Sequence, residues 1–475
     1  MSDMRDFLEL SYPELEELNL AAKELTKNRV PIERLRDERL GYLTKEHRIK
    51  AVTVLFSDLE GRLHMLDYDK KFLLKSYDNL TFDGSSIRGF TAQRESDLRL
   101  ALDWSAFYWA PSDVFGAGKV LVFGDVLNRD GSPFSADIRG ALKKLSNDAF
   151  ANNGYTLNAA NEIEGFLFDG VDAEQRFHDT EKFEYVNTGG YYHSLPGDPL
   201  RTFIDTVAEV QRAMGFENEK DHPEVAPSQF EINYNYGEVV SAADRIALYK
   251  LICRQVATSM GMTASFLPKP VVGVNGSGMH TNISVSKDGK NLFWDPNGEE
   301  KLSALAMQFT DRILSAGKDL CLVFNSSVNA YRRLDPHFEA PNQIKASAVD
   351  RGAMVRFPIG NERSVRLEFR AVAPDANPYM VMLAVFKTGL EGAIANTPNL
   401  RQSDQYLPDN IYDALADFRD SSWTGKLLDD DVKQRYADLK QAAADRCPRL
   451  LGTYVKAPEV QFHHEVYNQF LWNLF

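Results

Sequence analysis

Two carboxylates stand two residues apart in Glu162-Ile163-Glu164, and Gly165-Phe166-Leu167-Phe168 follows them. Side chains alternate across an extended strand, so Glu162, Glu164, Phe166 and Phe168 share one face. Burying acids beside a hydrophobic run costs several kcal/mol each unless a cation compensates them. The same anomaly recurs in Glu224-Val-Ala-Pro-Ser-Gln-Phe-Glu231 and in Arg366-Leu-Glu368-Phe-Arg370, where acids and arginines take slots that an ordinary strand gives to Val or Ile. This predicts one site built from several strands. Carboxylate oxygens with an occasional imidazole suit Mg²⁺ or Mn²⁺, whose work in such a setting is to neutralise phosphate oxygens. An imidazole is at hand in Asn275-Gly-Ser-Gly-Met-His280. Its alternate glycines let the backbone approach a ligand closely, and His280 opens a strand whose Asn282 and Ser284 lie on its own face.

Positioning these residues requires strands interleaved with helices. Residues 1–46 read as a helical extension: Ser11 and Glu14 form a capping box, Pro13 lies just inside, and Leu15, Leu18, Ala22 and Leu25 follow at helical spacing. Its expected role is docking without chemistry. From residue 47 to 130 short strands prevail, with Ala51 to Phe56 and Arg62 to Tyr68 flanking the hairpin signal Ser57-Asp-Leu-Glu-Gly61. Residues 131–475 alternate helices and strands, and Gly154, Gly215 and Gly261 close the helices Ala136 to Asn153, Leu200 to Met214 and Ala242 to Met260. An aromatic tail, Tyr467 to Phe475, ends the chain.

Composition narrows the partners. A formal net charge of −14 over 475 residues, with no basic block, argues against nucleic acid. Three widely spaced cysteines, Cys253, Cys321 and Cys447, form neither a disulfide framework nor a CxxC metal site, which suits a reducing cytoplasm. The longest apolar runs, such as Met380 to Phe386, are too short for a membrane span.

Six segments together resemble glutamine synthetase of the bacterial type I class, and they occur in that family's order. They are Phe82-Asp-Gly-Ser-Ser-Ile87, Glu162-Ile-Glu164, Glu224 to Glu231, Lys269 to His280, Asn329-Ala-Tyr-Arg-Arg-Leu334 with Glu339-Ala-Pro341, and Arg366 to Arg370 with Asn377-Pro-Tyr379. The resemblance implies an α+β fold, with a small N-terminal β-grasp-like domain and a large catalytic domain whose antiparallel, open-barrel-like sheet is backed by helices. It implies ATP-dependent ligation of ammonia to L-glutamate, with two or three Mg²⁺ or Mn²⁺ ions. Glu164, Glu224 and Glu231 match the ligands of the first metal, and Glu162, His280 and Glu368 those of the second. Asn275, Gly276, Arg333 and Arg370 match the positions that hold glutamate, Arg351 and Arg356 those that meet the transferring phosphoryl group and nucleotide phosphates, and Glu219 and Ser284 those at the nucleotide. Asp83 and Ser86 match the ammonium pocket, Asp83 reaching in from a neighbouring subunit, and Glu339 matches the flap acid. The family's C-terminal segment clasps the opposite ring, which implies a homododecamer of two stacked hexamers with active sites between subunits. Departures are Ala346-Ser347 and Asp350-Arg351, where an aromatic and Ser usually precede Asn-Arg, and Phe90 in a slot often held by Trp. The stretch Asn399 to Pro408 is too short for a modifiable tyrosine loop, so Tyr406 is a poor candidate for adenylylation. The rival expectations are a γ-glutamyl ligase for a larger amine and a regulatory pseudoenzyme on the same fold.

Overall fold

A computed structural model describes residues 6–92, 96–180, 182–193, 196–334, 340–397 and 399–461, with His178 and 446–461 described by backbone alone. Glu339 and the tail from Tyr467 to Phe475 lie outside the described residues.

The first sheet joins β1 (Ala51–Ser57), β2 (Leu63–Asp69), β3 (Leu80–Asp83), β4 (Asp97–Trp109) and β5 (Lys119–Leu127) in the order β2-β1-β5-β4-β3. It is a β-grasp sheet, with β1 parallel to β5 and the other pairs antiparallel. The expected hairpin is present: Asp58 Oδ1 accepts from the amides of Glu60 at 3.0 Å and Arg62 at 2.9 Å, closing the turn.

The second sheet carries the acids. It comprises β6 (Thr156–Asp169), β7 (Asn218–Pro223), β8 (Gln229–Tyr234), β9 (Gly237–Glu238), β10 (Met262–Ser265), β11 (Met279–Lys287), β12 (Lys290–Asn291), β13 (Gln343–Ser347), β14 (Ala353–Arg356) and β15 (Leu367–Phe369). Its main path runs β13-β14-β15-β11-β6-β8-β7 and curls into a half-barrel. Among this sheet's described pairs only β13 and β14 are parallel. Helices Ile138–Asn153, Pro199–Ala213 and Val239–Ser259 cover it, Pro378–Glu391 packs against the first and third, and Gly154, Gly215 and Gly261 follow the three covering helices in left-handed backbone. No described helix is long and apolar enough to cross a membrane.

The N-terminal segment forms two helices, Tyr12–Lys27 and Ile32–Lys45. Leu15 and Ala22 are buried as their spacing predicts, and Glu14 closes the capping box with Ser11. Asn19 secures the docking: its amide donates to the carbonyls of Trp109 at 2.9 Å and Ala213 at 2.8 Å, tying the extension to both larger parts of the chain.

Two junctions set the sheets against each other. At the first, the tip of the β1–β2 hairpin sits on the start of helix Pro378–Glu391, where a Cβ on Gly61 would lie 2.5 Å from Asn377 Cα. Only glycine fits there, and Asn377 donates to the Leu59 carbonyl at 3.1 Å. At the second, Arg139 is fully buried among acids from both sheets' neighbourhoods. Its Nε and Nη2 each reach Asp244 at 2.8 Å, Nη2 reaches Asp103 at 2.9 Å, and Nη1 pairs with Asp125. Lys143 joins Asp103 at 2.8 Å and Asp125 at 2.7 Å. Removing one partner of a buried ion pair leaves charge without compensation. Arg139→Met is therefore expected to lower stability by about 3–5 kcal/mol, read as a fall in the thermal unfolding midpoint; an unchanged midpoint would show that Arg139 does not hold the junction.

Candidate active site

Strand register does the assembling. His280 on β11 faces Glu162 on β6, and Asn282 on β11 faces Glu368 on β15, which in turn faces Arg356 on β14. Further along, Glu164 on β6 faces Glu231 on β8, which faces His222 on β7. The acids thus form rows across the concave sheet.

The first group is Glu162, His280 and Glu368, whose candidate ligand atoms all lie within 4.8 Å of one another. His280 Nδ1 is 3.6 Å from Glu162 Oε2 and 3.8 Å from Glu368 Oε1. Asn282 donates to Glu162 at 3.1 Å, and Arg366 donates to Asn282 Oδ1 at 2.8 Å. Arg356 and Arg370 grip the two oxygens of Glu368, Arg356 Nε at 2.6 Å. Burial opposes ionisation of Glu162, but His280, Asn282 and Arg366 outweigh it and hold the carboxyl at about 2. Glu368 is likewise lowered against its burial, by His280 and Arg370. His280 itself is pushed down, by burial first and then by Arg370. This half of the site is a basic frame around two ionised acids.

The second group is the reverse. His222, Glu224 and Glu231 also bring their candidate ligand atoms within 4.8 Å, with His222 at 3.6 Å from each acid. Glu164 adjoins them, its Oε2 accepting from the Gly278 amide at 2.7 Å. Burial raises the Glu164 carboxyl well above its ordinary range, and the charges of Glu224 and Glu231 push it further. Burial and Glu231 lift Glu224 to about 7. Crowded carboxylates of this kind are what a divalent cation offsets, and both groups offer hard oxygens plus one imidazole, so the donor sets fit Mg²⁺ or Mn²⁺.

Arg333, at the end of helix Val328–Arg333, is buried and donates to the Arg370 carbonyl at 3.2 Å; burial lowers its guanidinium to about 10. The alternate glycines are also required by the chain's own packing. A Cβ on Gly278 would lie 2.5 Å from Arg333 Nη2 and 2.9 Å from His280 Nε2, and one on Gly276 would lie 2.5 Å from the Pro268 carbonyl. The close approach is made by Arg333, His280 and Pro268.

The remaining sequence candidates are spread over both sheets and their loops. Ser284 is half-buried on β11, two positions beyond Asn282, and Asn275 is half-buried in the loop before it. Glu219 is exposed on β7. Arg351 is exposed in the β13–β14 turn, where Ser347 Oγ accepts from the amides of Val349 at 3.2 Å and Asp350 at 3.0 Å, and the Arg351 carbonyl accepts from Arg370 Nε at 3.3 Å. Asp83 and Ser86 are exposed on and just after β3, in the other sheet. Phe90 is buried edge-on against Phe134 at 5.1 Å. His222 escaped the sequence reading; its signal was its place two residues before Glu224. The Tyr191-Tyr192 pair, packed edge-on to His222 with centroids at 5.5 and 4.8 Å, was also missed and has no such signal.

A family model described as the glutamine synthetase catalytic domain matches residues 135–451, and one described as the glutamine synthetase β-grasp domain matches residues 48–129. The chain belongs to the glutamine synthetase family. The glutamine synthetase of Clostridium saccharobutylicum is 36% identical over 424 residues, which are 85% of this chain and 94% of that protein. That of Methanosarcina mazei is 34% identical over 418 residues, 84% of this chain and 92% of its own length. Among solved structures, a GmaS complex with ADP superimposes with a TM-score of 0.75 at 25% identity, covering 89% of this chain and 99% of that one. Plasmodium falciparum glutamine synthetase reaches 0.78 at 21% identity, covering 90% and 98%, and supports the fold alone. Glutamine synthetase family membership makes the protein an enzyme, a ligase, of a family that uses divalent metals.

Proposed function

We propose that the protein ligates ammonia to the γ-carboxylate of L-glutamate, with ATP cleaved to ADP and phosphate. The observation that carries this reading is the convergence of two carboxylate–imidazole groups with Arg356 and Arg370 on one concave sheet. An amide does not form from a carboxylate and ammonia at useful rates without activation. A γ-carboxylate oxygen attacks the terminal phosphorus of ATP, giving γ-glutamyl phosphate and ADP; ammonia then attacks the acyl carbon, and phosphate leaves. Every step gathers negative charge, so guanidinium groups with a planar fork suit it better than ammonium groups.

The residues divide as follows in this proposal. Glu164, Glu224 and Glu231, with His222 beside them, hold one divalent ion, and Glu162, His280 and Glu368 hold another. Two or three Mg²⁺ or Mn²⁺ ions, when bound, supply charge neutralisation of the phosphate oxygens. Asn275, Gly276, Arg333 and Arg370 hold glutamate. Arg351 and Arg356 meet the transferring phosphoryl group and the nucleotide phosphates, and Glu219 and Ser284 meet the nucleotide; the ADP bound in the GmaS structure supports a nucleotide here. Asp83 and Ser86 receive ammonium and Asp83 accepts its proton, while Glu339 closes the flap against water. The chain divides into an extension at 1–46, a β-grasp domain at 47–130 and a catalytic domain at 131–475, and it works in the cytoplasm.

The reading is tested with purified protein, ATP and glutamate, comparing ammonia with a panel of amines. Glutamine formation that depends on ammonia is expected; a preference for a larger amine would replace ammonia as the nucleophile, and no turnover with any amine would leave a pseudoenzyme. We also propose a homododecamer of two stacked hexamers, because large apolar groups at Tyr467, Phe470, Leu471, Trp472, Leu474 and Phe475 favour a partner surface. Deleting Gln469 to Phe475 is expected to give single hexamers by mass in solution. An unchanged particle would show that the tail does not hold rings together.

A further inference from the structure

Ser228 is fully buried, yet its backbone is left-handed at φ 62°, a conformation that a residue with a Cβ seldom adopts. It stands in the Glu224 to Glu231 segment, between two acids of the site, and so the surroundings must hold it in this conformation. Its hydrogen bonds show what holds it. Ser228 Oγ accepts from the amides of Val186 at 2.8 Å and Asn187 at 3.3 Å, while the Ser228 amide donates to Asn187 Oδ1 at 2.7 Å. The same Asn187 oxygen accepts from the Gly189 amide at 3.1 Å, and the Asn187 amide group donates to Asp198 at 3.2 Å. Gly189, at φ 85°, lies flush on the loop: a Cβ there would be 2.8 Å from Pro227 N.

The strap held in this way, residues 186–192, ends in Tyr191 and Tyr192. Their rings stack at 3.8 Å, and the Tyr192 hydroxyl donates to that of Tyr191 at 2.8 Å. Both stand edge-on to His222 beside Glu224 and Glu231. The two residues are 45% and 56% exposed, so burial of the tyrosines does not fix the strap. Polar contacts to residues 223–228 do: those of Ser228 with Val186 and Asn187, and the Tyr192 amide to the Pro223 carbonyl at 3.3 Å.

We propose that Ser228 is a positioning residue: its hydroxyl, paired with Asn187, latches the 186–192 strap so that Tyr191 and Tyr192 wall the acid cluster off from bulk water. The function of this wall rests on the ligation reading, in which γ-glutamyl phosphate must survive until ammonia attacks. If water reaches the acyl phosphate, it gives glutamate and phosphate, and ATP is consumed with no amide formed. Loosening the latch therefore uncouples ADP release from glutamine formation.

The test compares Ser228→Ala, Ser228→Gly and Asn187→Ala in the full chain. Two quantities are measured: ADP released per glutamine formed, and the rate of chymotryptic cleavage after Tyr191 and Tyr192. In all three variants the ratio is expected to rise several-fold above one-to-one and cleavage to accelerate, while the ATP KM changes little. The glycine variant separates hydroxyl from backbone, since glycine adopts the left-handed conformation freely. Coupled turnover and unchanged cleavage in Ser228→Gly would overturn the latch, because backbone conformation alone would then account for the serine. A uniform fall in kcat with the ratio unchanged would also overturn it. Failure of the ligation reading is distinguishable, because unsubstituted protein would then show no ammonia-dependent ADP release. Cleavage would still decide whether Ser228 holds the strap.

Discussion

Glu368→Ala is expected to lower kcat by about a thousandfold or more. Glu368 is 1% exposed and is gripped by Arg356 and Arg370 with His280 close by. Truncation removes a candidate metal ligand and at the same time leaves two guanidinium groups and an imidazole without their shared acid. Glu368→Gln keeps the shape and one oxygen, which separates charge from packing. In the alanine variant, Mg²⁺ or Mn²⁺ affinity measured by calorimetry should fall together with kcat. Wild-type metal affinity alongside wild-type turnover would remove Glu368 from the site, and with it the pairing of Glu162, His280 and Glu368.

Asp83→Ala is expected to raise the ammonia KM and to slow amide formation by about a hundredfold, the usual scale for losing a positioned proton acceptor, with little change in the KM for ATP or glutamate. The carboxylate is poised for such a role. Its Oδ1 accepts from the Ser85 hydroxyl at 2.6 Å and amide at 2.8 Å, and these bonds hold its pKa below the ordinary carboxylate value, favouring the charged form that attracts ammonium. It lies on the β-grasp sheet, whereas Arg356, proposed to meet the phosphates, lies on the other. A change there should therefore spare phosphoryl transfer. Steady-state kinetics with each substrate varied in turn decides the matter: an equal loss of ATP binding would take Asp83 out of the ammonium pocket.

Much of the local structure is legible in the sequence. The capping box at Ser11 and Glu14, the Asp58 hairpin and the helices ending before Gly154, Gly215 and Gly261 all follow from interactions within a few residues of each other. Phe166 and Phe168 stack at 5.6 Å on one side of β6, as the two-residue strand period requires. The Asn275 to His280 loop was legible only in part. Its glycines announce a close approach, but whether a ligand or a side chain makes it depends on Arg333, which arrives from a helix more than fifty positions later.

The sequence by itself determined that acids alternate with aromatics on several strands, and hence that burial there demands a cation; its ordered motifs also carried the family. Alternation says which face an acid occupies but not which strand lies beside it. Only the tertiary structure decided that His280 meets Glu162 while Asn282 meets Glu368, because a register shift of one residue would turn either side chain to the opposite face. It also decided that His222 joins Glu224 and Glu231, that Arg139 joins acids from β4, β5 and helix Val239–Ser259, and that Ser228 reaches Asn187 from a left-handed backbone. Apart from His222 with Glu224, two residues on, these contacts join residues whose neighbours in the chain carry no mark of the partner. Their energies come from burial and charge pairing, which exist only once the sheets have closed around them.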